Sequence, residues 1–182
     1  MQIKSFDMVD KNPYTSGVQT FDNFLEKDGL QKILNGFNND QVWGFTGTSD
    51  KGSDISSRFW CANNLEEYEV FKKLWELIQT NCSLYKYKLT RCYANGQTAC
   101  QSGTPHTDDG DLTVLFYPSE WKHIYGGHLH FIKNNRIGHV VEYIQNRLVI
   151  FPAHLLHYAG APIKEYDGIR ISVAFKLKEV NE

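Results

Sequence analysis

A histidine and an aspartate, His106 and Asp108, stand two residues apart in the sequence. Side chains at positions i and i+2 of an extended backbone project from the same face, so both can reach one metal ion. A third ligand must come from a distant part of the chain. The candidate is His157, which follows the strongly apolar segment 147–151. These residues predict a metal site that the fold assembles.

His154 is the alternative third ligand, because it lies three residues before His157. We favour His157, since residues 153–156 then form a loop with room to turn the chain back toward the core. Asp109 and Asp111 follow the aspartate ligand closely, and we predict that they act in turn formation instead.

The predicted ligand set has a specific coordination chemistry. Two histidines and one carboxylate on one face of an octahedron leave three adjacent positions open, which is typical of non-haem Fe(II) oxygenases. A 2-oxo acid would take two positions through its keto oxygen and C1 carboxylate, and O₂ would take the third. The distal carboxylate of such an acid needs a fixed cation. Arg170 offers a bidentate guanidinium, and Ser172, one strand repeat away on the same face, offers a hydroxyl.

The elements that position these residues can be read from hydrophobic periodicity. Apolar residues at helical spacing predict helices at Phe21 to Phe37 and Leu65 to Asn81. From Ser83 onward the period becomes two, which predicts a series of short strands. We place them at about Tyr85–Ala94, Asp111–Tyr117, His128–Ile132, Gly138–Tyr143, Arg147–Phe151 and Arg170–Leu177. Helices followed by many strands favour a sheet sandwich supported by helices on one face.

The stretch between the two predicted helices is different in character. From Gln41 to Asn63 it mixes aromatic residues with a Gly-, Ser- and Asp-rich middle, Gly47 to Ser57. This composition predicts short extended segments joined by a mobile loop, which is a candidate substrate lid.

These features together resemble the 2-oxoglutarate/Fe(II) dioxygenase family, and within it the prolyl 4-hydroxylase-like branch that includes small phage enzymes. The matching features are His106-Thr107-Asp108, Gly126-Gly127, the segment Asn146 to Pro152 leading to His157, and Arg170 with Ser172. They run in the family's order over residues 91–176. The resemblance implies a mainly β fold with supporting helices, the double-stranded β-helix or jelly roll. We expect one domain over residues 1–182, with helical support at about 1–82 and the jelly-roll core at about 83–178.

The resemblance also assigns roles to residues at matching positions. His106, Asp108 and His157 would hold Fe(II), and the spacing from His157 to Arg170 is closer to the family's than that from His154. The cofactors implied are Fe(II), 2-oxoglutarate as cosubstrate, O₂, and ascorbate as reductant. The residues assigned to the cosubstrate are Arg170, Tyr93, Tyr117, Ser172, Leu115 and Leu129.

Within that cosubstrate set, the implied contacts differ. Tyr93 would lie beside the iron-proximal end of 2-oxoglutarate, and Tyr117 would hydrogen-bond the distal carboxylate. The two leucines would form an apolar wall. One departure is the histidine after the paired glycines: His128 and His130 share one strand face, and with Leu129 facing the pocket they should point away from it.

Composition narrows the class of protein further. The net charge of −2 gives no general attraction to nucleic acid or anionic membranes. The sequence contains no run of about 20 apolar residues that could span a bilayer, and we expect no secretory leader. The four cysteines form no CxxC pair, so we expect free thiols and a cytoplasmic protein.

The leading hypothesis, by resemblance, is an oxygenase that hydroxylates a prolyl residue of a peptide or protein and releases succinate and CO₂. A free amino acid, another side chain, a nucleobase or another small molecule stays open as substrate. The first alternative is a cupin-like metal-binding isomerase or small-ligand binding protein, which would not need Arg170. A catalytically silent interaction domain is the second, and the intact ligand set argues against it.

Overall fold

The computed structural model describes residues 17–39, 43–49 and 58–180. In chain order its helices and strands are β1 (Gln19–Phe21), α1 (Lys27–Asn39), β2 (Gly44–Gly47), β3 (Phe59–Ala62), α2 (Glu69–Asn81), β4 (Tyr87–Gln97), β5 (Leu112–Tyr117), β6 (Leu129–Lys133), β7 (Arg136–Val141), β8 (Arg147–Pro152), β9 (His157–Ala159) and β10 (Arg170–Glu179).

The strands form two antiparallel sheets. The large sheet has seven strands in the order β1-β8-β5-β10-β4-β3-β2, and the small sheet has three in the order β7-β6-β9. Strands that are distant in sequence therefore lie side by side, with β10 between β5 and β4. The prediction of a mainly β fold supported by helices is confirmed.

One face of the large sheet packs against the helices. In β10, alternate side chains from Ile171 to Leu177 are buried and belong to this outer core. They meet the apolar face of α2, where Phe71, Leu74 and Ile78 are 1% exposed or less. Apolar residues recur every two positions in β10 and about every 3.6 positions in α2, so each element has one apolar face, and these two faces pack together.

The opposite face of the large sheet forms a second, inner core with the small sheet. Its members, from both sheets and the segment after β7, are Leu115, Tyr117, Leu129, Phe131, Val141, Tyr143, Val149, Phe151 and Ala174. Residues at even positions of β10, from Arg170 to Lys176, point into this inner space because side chains alternate along a strand. Polar groups on that face are therefore enclosed between the sheets.

The prediction of a helix from Phe21 to Phe37 was wrong over its N-terminal part. The structure begins α1 at Lys27 and makes Gln19–Phe21 a strand, β1, that pairs with β8. The side-chain amide of Asn146 accepts from the backbone N–H of Leu25 at 2.9 Å and donates to its carbonyl at 2.7 Å. Pairing with the sheet edge therefore overrides the local helical spacing.

Other element boundaries shifted by a few residues. The second predicted helix is a 3₁₀ turn, Leu65–Glu67, followed by α2. The strand predicted to end at Ala94 continues to Gln97, because β4 stays paired with β10. Of the predicted loop, residues 50–57 lie outside the described residues. No helix in the described ranges is long and apolar enough to cross a membrane.

We predict that Phe175→Ala lowers the free energy of unfolding by about 3–5 kcal/mol. Phe175 is fully buried and stacks on Trp75 with ring centroids 6.1 Å apart, so truncation leaves a cavity between sheet and helix. Urea unfolding followed by circular dichroism measures the loss. Leu77→Ala, at a 47% exposed position of the same helix, is the control and should change stability little; equal losses in the two variants would contradict the packing described.

Candidate metal and cosubstrate site

Backbone pairing brings the three predicted metal ligands together. His106 and His157 form an antiparallel bridge with two N–H to carbonyl hydrogen bonds of 2.9 Å, and the N–H of Asp108 donates to Ala153 at 2.9 Å. One ligand atom from each of His106, Asp108 and His157 lies within 4.8 Å of the others. The segment containing the HxD triplet thus extends the small sheet beside β9.

Hydrogen bonds fix the tautomer of both histidine rings. Nδ1 of His106 lies 2.8 Å from the carbonyl of Thr104, and Nδ1 of His157 lies 2.7 Å from that of Leu155. A carbonyl only accepts, so each Nδ1 must carry the proton and each Nε2 keeps a free lone pair. The two Nε2 atoms lie 3.5 Å from the oxygens of Asp108. The unprotonated nitrogens and the carboxylate therefore face one another, as metal binding requires.

The charges of the site suit a divalent cation. Burial opposes ionisation of Asp108, but the polar and charged groups around it, among them the ammonium of Lys176, outweigh burial and hold the pKa of the carboxyl well below its usual range. Burial lowers the pKa of His157 to about 4, although the charge of Asp108 opposes this. At neutral pH the aspartate is ionised and His157 is neutral. Two imidazoles and one carboxylate fit Fe(II) and similar ions.

The alternative ligand His154 is exposed in the loop before β9 and is not part of the group around Asp108. His128 accepts a hydrogen bond from the backbone N–H of Tyr143 at 3.2 Å, and the ring of His130 stacks on Tyr158 at 4.8 Å. Neither of these two histidines lines the cavity beside the metal ligands.

Arg170 is a buried cation without a buried anion. It is 1% exposed, its Nε donates to the carbonyl of Gly127 at 2.7 Å, and Nη1 donates to Oε1 of Gln97 at 2.8 Å. Its guanidinium carbon lies 4.5 Å from the ring centre of Tyr143 and 5.5 Å from that of Tyr117. Within the described ranges no carboxylate is close enough to form an ion pair with it. A buried guanidinium is costly to desolvate, so the site favours an anionic ligand.

The hydroxyl of Tyr117 supports the same interpretation. It is buried and donates no hydrogen bond to any described residue. Burial raises the pKa of Tyr117 to about 12, against the opposing charge of Arg170, so the hydroxyl stays protonated and can donate. An orphaned donor beside an uncompensated cation fits a carboxylate.

Gly127, the second of the paired glycines, allows the backbone to approach Arg170 closely. Gly127 has φ +67°, and a Cβ there would lie 3.0 Å from Cδ of Arg170 and 2.9 Å from the ring of Trp121. Only glycine combines that backbone conformation with so close an approach, and this lets its carbonyl accept from Arg170.

An open cavity of about 640 Å³ lies beside the metal ligands. Tyr93 and Ser172 line it together with His106 and Asp108. Four of the predicted residues do not line it: Arg170, Tyr117, Leu115 and Leu129. These four lie deeper, between the sheets, and Gln97 lines the cavity at the point nearest Arg170.

The sequence predicted no contact with the metal ligands or with Arg170 for three polar residues of the site: Gln97, Thr113 and Lys176. Gln97 lies directly opposite Arg170 in the strand register. Thr113 donates to Asp108 at 2.7 Å, and Lys176 forms an ion pair with it. Lys176 had a readable signal, since it continues the two-residue spacing of Arg170 and Ser172. The other two became recognisable only through cross-strand pairing.

The comparisons with known proteins identify the fold. No protein-family profile matches the sequence, and no curated protein matches it either. Solved structures do match: a 2OG-Fe(II) oxygenase family oxidoreductase from Burkholderia pseudomallei has a TM-score of 0.71 at 12% identity, over 100% of this chain and 95% of that one. The chain therefore has the fold of 2-oxoglutarate/Fe(II) oxygenases, the double-stranded β-helix, as predicted.

Two further structures have the same fold. A prolyl hydroxylase from Trichoplax adhaerens, in complex with a hypoxia inducible factor peptide fragment, has a TM-score of 0.69 at 20% identity, covering 95% of this chain and 88% of that one. HygX from Streptomyces hygroscopicus, with nickel and 2-oxoglutarate bound, has a TM-score of 0.68 at 13% identity, covering 94% and 87%.

We predict that His157→Ala weakens binding of Mn(II) or Fe(II) by roughly 100-fold or more, because a ligand with a fixed, unprotonated Nε2 is lost. Anaerobic isothermal titration calorimetry measures the affinity. His154→Ala is the matched control and should bind metal like the wild type. Loss of affinity in the His154 variant, or its retention in the His157 variant, would contradict the assignment.

Proposed function

We propose that this chain is an Fe(II)- and 2-oxoglutarate-dependent dioxygenase that hydroxylates an unactivated C–H bond and releases succinate and CO₂. The observation that carries the proposal is the buried guanidinium of Arg170, uncompensated by any described carboxylate, in a fold that also brings His106, Asp108 and His157 together. A metal site alone would fit many functions. A metal site combined with a buried guanidinium that has no described carboxylate partner fits a dicarboxylic 2-oxo acid.

The residues have distinct proposed tasks. His106, Asp108 and His157 hold the iron, which when bound supplies the oxidising chemistry with O₂. Arg170 and the free hydroxyl of Tyr117 bind the distal carboxylate, which fixes the orientation of the cosubstrate. The inner core around Arg170 and Tyr117 excludes water, so the guanidinium would interact strongly with a bound carboxylate. We include ascorbate as reductant in the proposal.

For the substrate we propose a prolyl residue of a peptide or protein. Support comes from the shared fold with a prolyl hydroxylase that holds a peptide fragment. The cavity beside the metal ligands also opens at a rim where Arg91 and Asp109 form an exposed ion pair of 2.7 Å. An open cavity of about 640 Å³ can admit a side chain that projects from an extended peptide.

We also propose a single domain that works in the cytoplasm. The outer and inner cores share the large sheet, so neither half has a complete core alone. All four cysteines are unpaired, and three of them are buried. Free thiols suit a reducing compartment, where iron is easily kept as Fe(II).

We predict that anaerobic addition of Fe(II) and 2-oxoglutarate to the protein produces a visible metal-to-ligand charge-transfer band. Arg170→Ala should weaken 2-oxoglutarate binding by about 100-fold, because the distal carboxylate loses its buried cation, while Fe(II) binding is kept. Absorbance titration measures both. Arg136→Ala, at an exposed arginine of β7, is the control and should behave as the wild type.

Metal binding without the band would overturn the oxygenase proposal and favour the cupin-like alternative, which needs a metal but no 2-oxo acid. A charge-transfer band that is unchanged in Arg170→Ala would support 2-oxo acid binding but contradict the role proposed for Arg170 in it.

For the substrate, we predict that proline-containing peptides raise succinate formation above the uncoupled rate and gain one oxygen atom. Mass spectrometry of the peptide, with an alanine-for-proline peptide as control, measures this. Succinate formation that no proline peptide stimulates would contradict prolyl hydroxylation while keeping the oxygenase class.

A further inference from the structure

Lys176 occupies a position where a charged side chain is costly. It is 2% exposed and lies on the inner face of β10, two residues after Ala174. Desolvating an ammonium between two sheets is unfavourable unless the charge is paired. An apolar side chain of similar length would fill the same space without that cost. The contacts of the ammonium therefore indicate its task.

Two donors converge on one oxygen of Asp108. The ammonium of Lys176 forms an ion pair with Oδ2 of Asp108 and donates to Oγ1 of Thr113 at 3.3 Å. Thr113 lies directly opposite Lys176 in the β5–β10 register and donates its own hydroxyl to the same Oδ2 at 2.7 Å. The lysine, the threonine and the aspartate thus form one buried network.

The other carboxylate oxygen is in a different environment. Each oxygen lies 3.5 Å from a nitrogen available for metal binding, Oδ1 from Nε2 of His106 and Oδ2 from Nε2 of His157, so the donors alone distinguish the two oxygens. No lysine, arginine or hydroxyl side chain in the described part of the chain donates to Oδ1. The two oxygens of the carboxylate are therefore not equivalent before any metal binds.

We propose that Lys176 and Thr113 are positioning residues that hold Oδ2 of Asp108 and leave Oδ1 as the oxygen that binds the metal. The inference rests on the function proposed above. A carboxylate that binds through one oxygen takes one coordination position, whereas binding through both takes two. Holding Oδ2 thus reserves a position for the 2-oxo acid. The ammonium also lowers the attraction of the site for divalent cations, because like charges repel strongly in a buried environment.

The test separates metal affinity from cosubstrate affinity. In Lys176→Met we expect Mn(II) to bind more tightly, since a positive charge is removed and Oδ2 is freed, while 2-oxoglutarate binds the Fe(II)-loaded protein about tenfold more weakly. Electron paramagnetic resonance measures free Mn(II), and the anaerobic charge-transfer band measures 2-oxoglutarate. Lys178→Met, which removes a lysine paired with Asp111 on the exposed end of the same strand, is the matched control.

Two more variants keep the test decisive if Lys176→Met folds poorly. Thr113→Val preserves shape and removes one donor to Oδ2, so 2-oxoglutarate affinity should fall without a loss of Mn(II) affinity. Lys176→Arg keeps the charge and donors and should restore part of the 2-oxoglutarate affinity. If Lys176 and Thr113 had a purely structural role, the variants would lose Mn(II) affinity and 2-oxoglutarate affinity together. That outcome overturns the proposal, and so does a lack of change in both affinities.

Failure of the proposed function has a different signature. If the wild-type protein never shows the charge-transfer band, the oxygenase assignment fails, but the Mn(II) comparison still tests the hold on Asp108. Tighter Mn(II) binding in Lys176→Met supports the proposal that Lys176 positions Oδ2 of Asp108, and unchanged Mn(II) binding rejects it.

Discussion

The site depends on the pairing of two short segments that are 51 residues apart in sequence, at His106 and His157. Two backbone hydrogen bonds of 2.9 Å join them, and each ring is oriented by a carbonyl two residues before it in the chain. The backbone fixes the positions of both segments. The Nε2 atoms of His106 and His157 therefore lie beside Asp108 without a change of side-chain conformation. Metal binding then needs little reorganisation of the protein.

The inner face of β10 distributes positive charge between two places. Arg170, at the start of the strand, has no carboxylate partner among the described residues, whereas Lys176, toward its end, is paired with Asp108. Both cations are buried, so each interacts strongly with its partner and would be costly without one. The opposite face of β10 carries alternate apolar residues from Ile171 to Leu177, and these pack the sheet against α2. One element therefore couples the stability of the fold to the electrostatics of the site.

Much of the fold was readable because periodicity is a local property. Strands β5, β6, β8 and β10 begin within one residue of their predicted starts, since burial in the sheets requires short runs rich in apolar residues, which can be read locally. The prediction failed where pairing partners decide the structure. Residues 19–21 have little intrinsic preference, and the free edge of β8 makes them a strand. The short β9 is likewise a strand only because β6 lies beside it.

The sequence by itself determined the chemical types available: an HxD triplet, a later histidine, and an arginine with a serine two residues on. Residue identity and spacing along one strand are enough to establish these. Only the tertiary structure decided that His157 rather than His154 faces Asp108, that Arg170 is enclosed with the free hydroxyl of Tyr117, and that Lys176 and Thr113 hold one oxygen of the aspartate. Those contacts join residues from different strands, and their distances depend on sheet register and on packing between sheets, which no local pattern encodes.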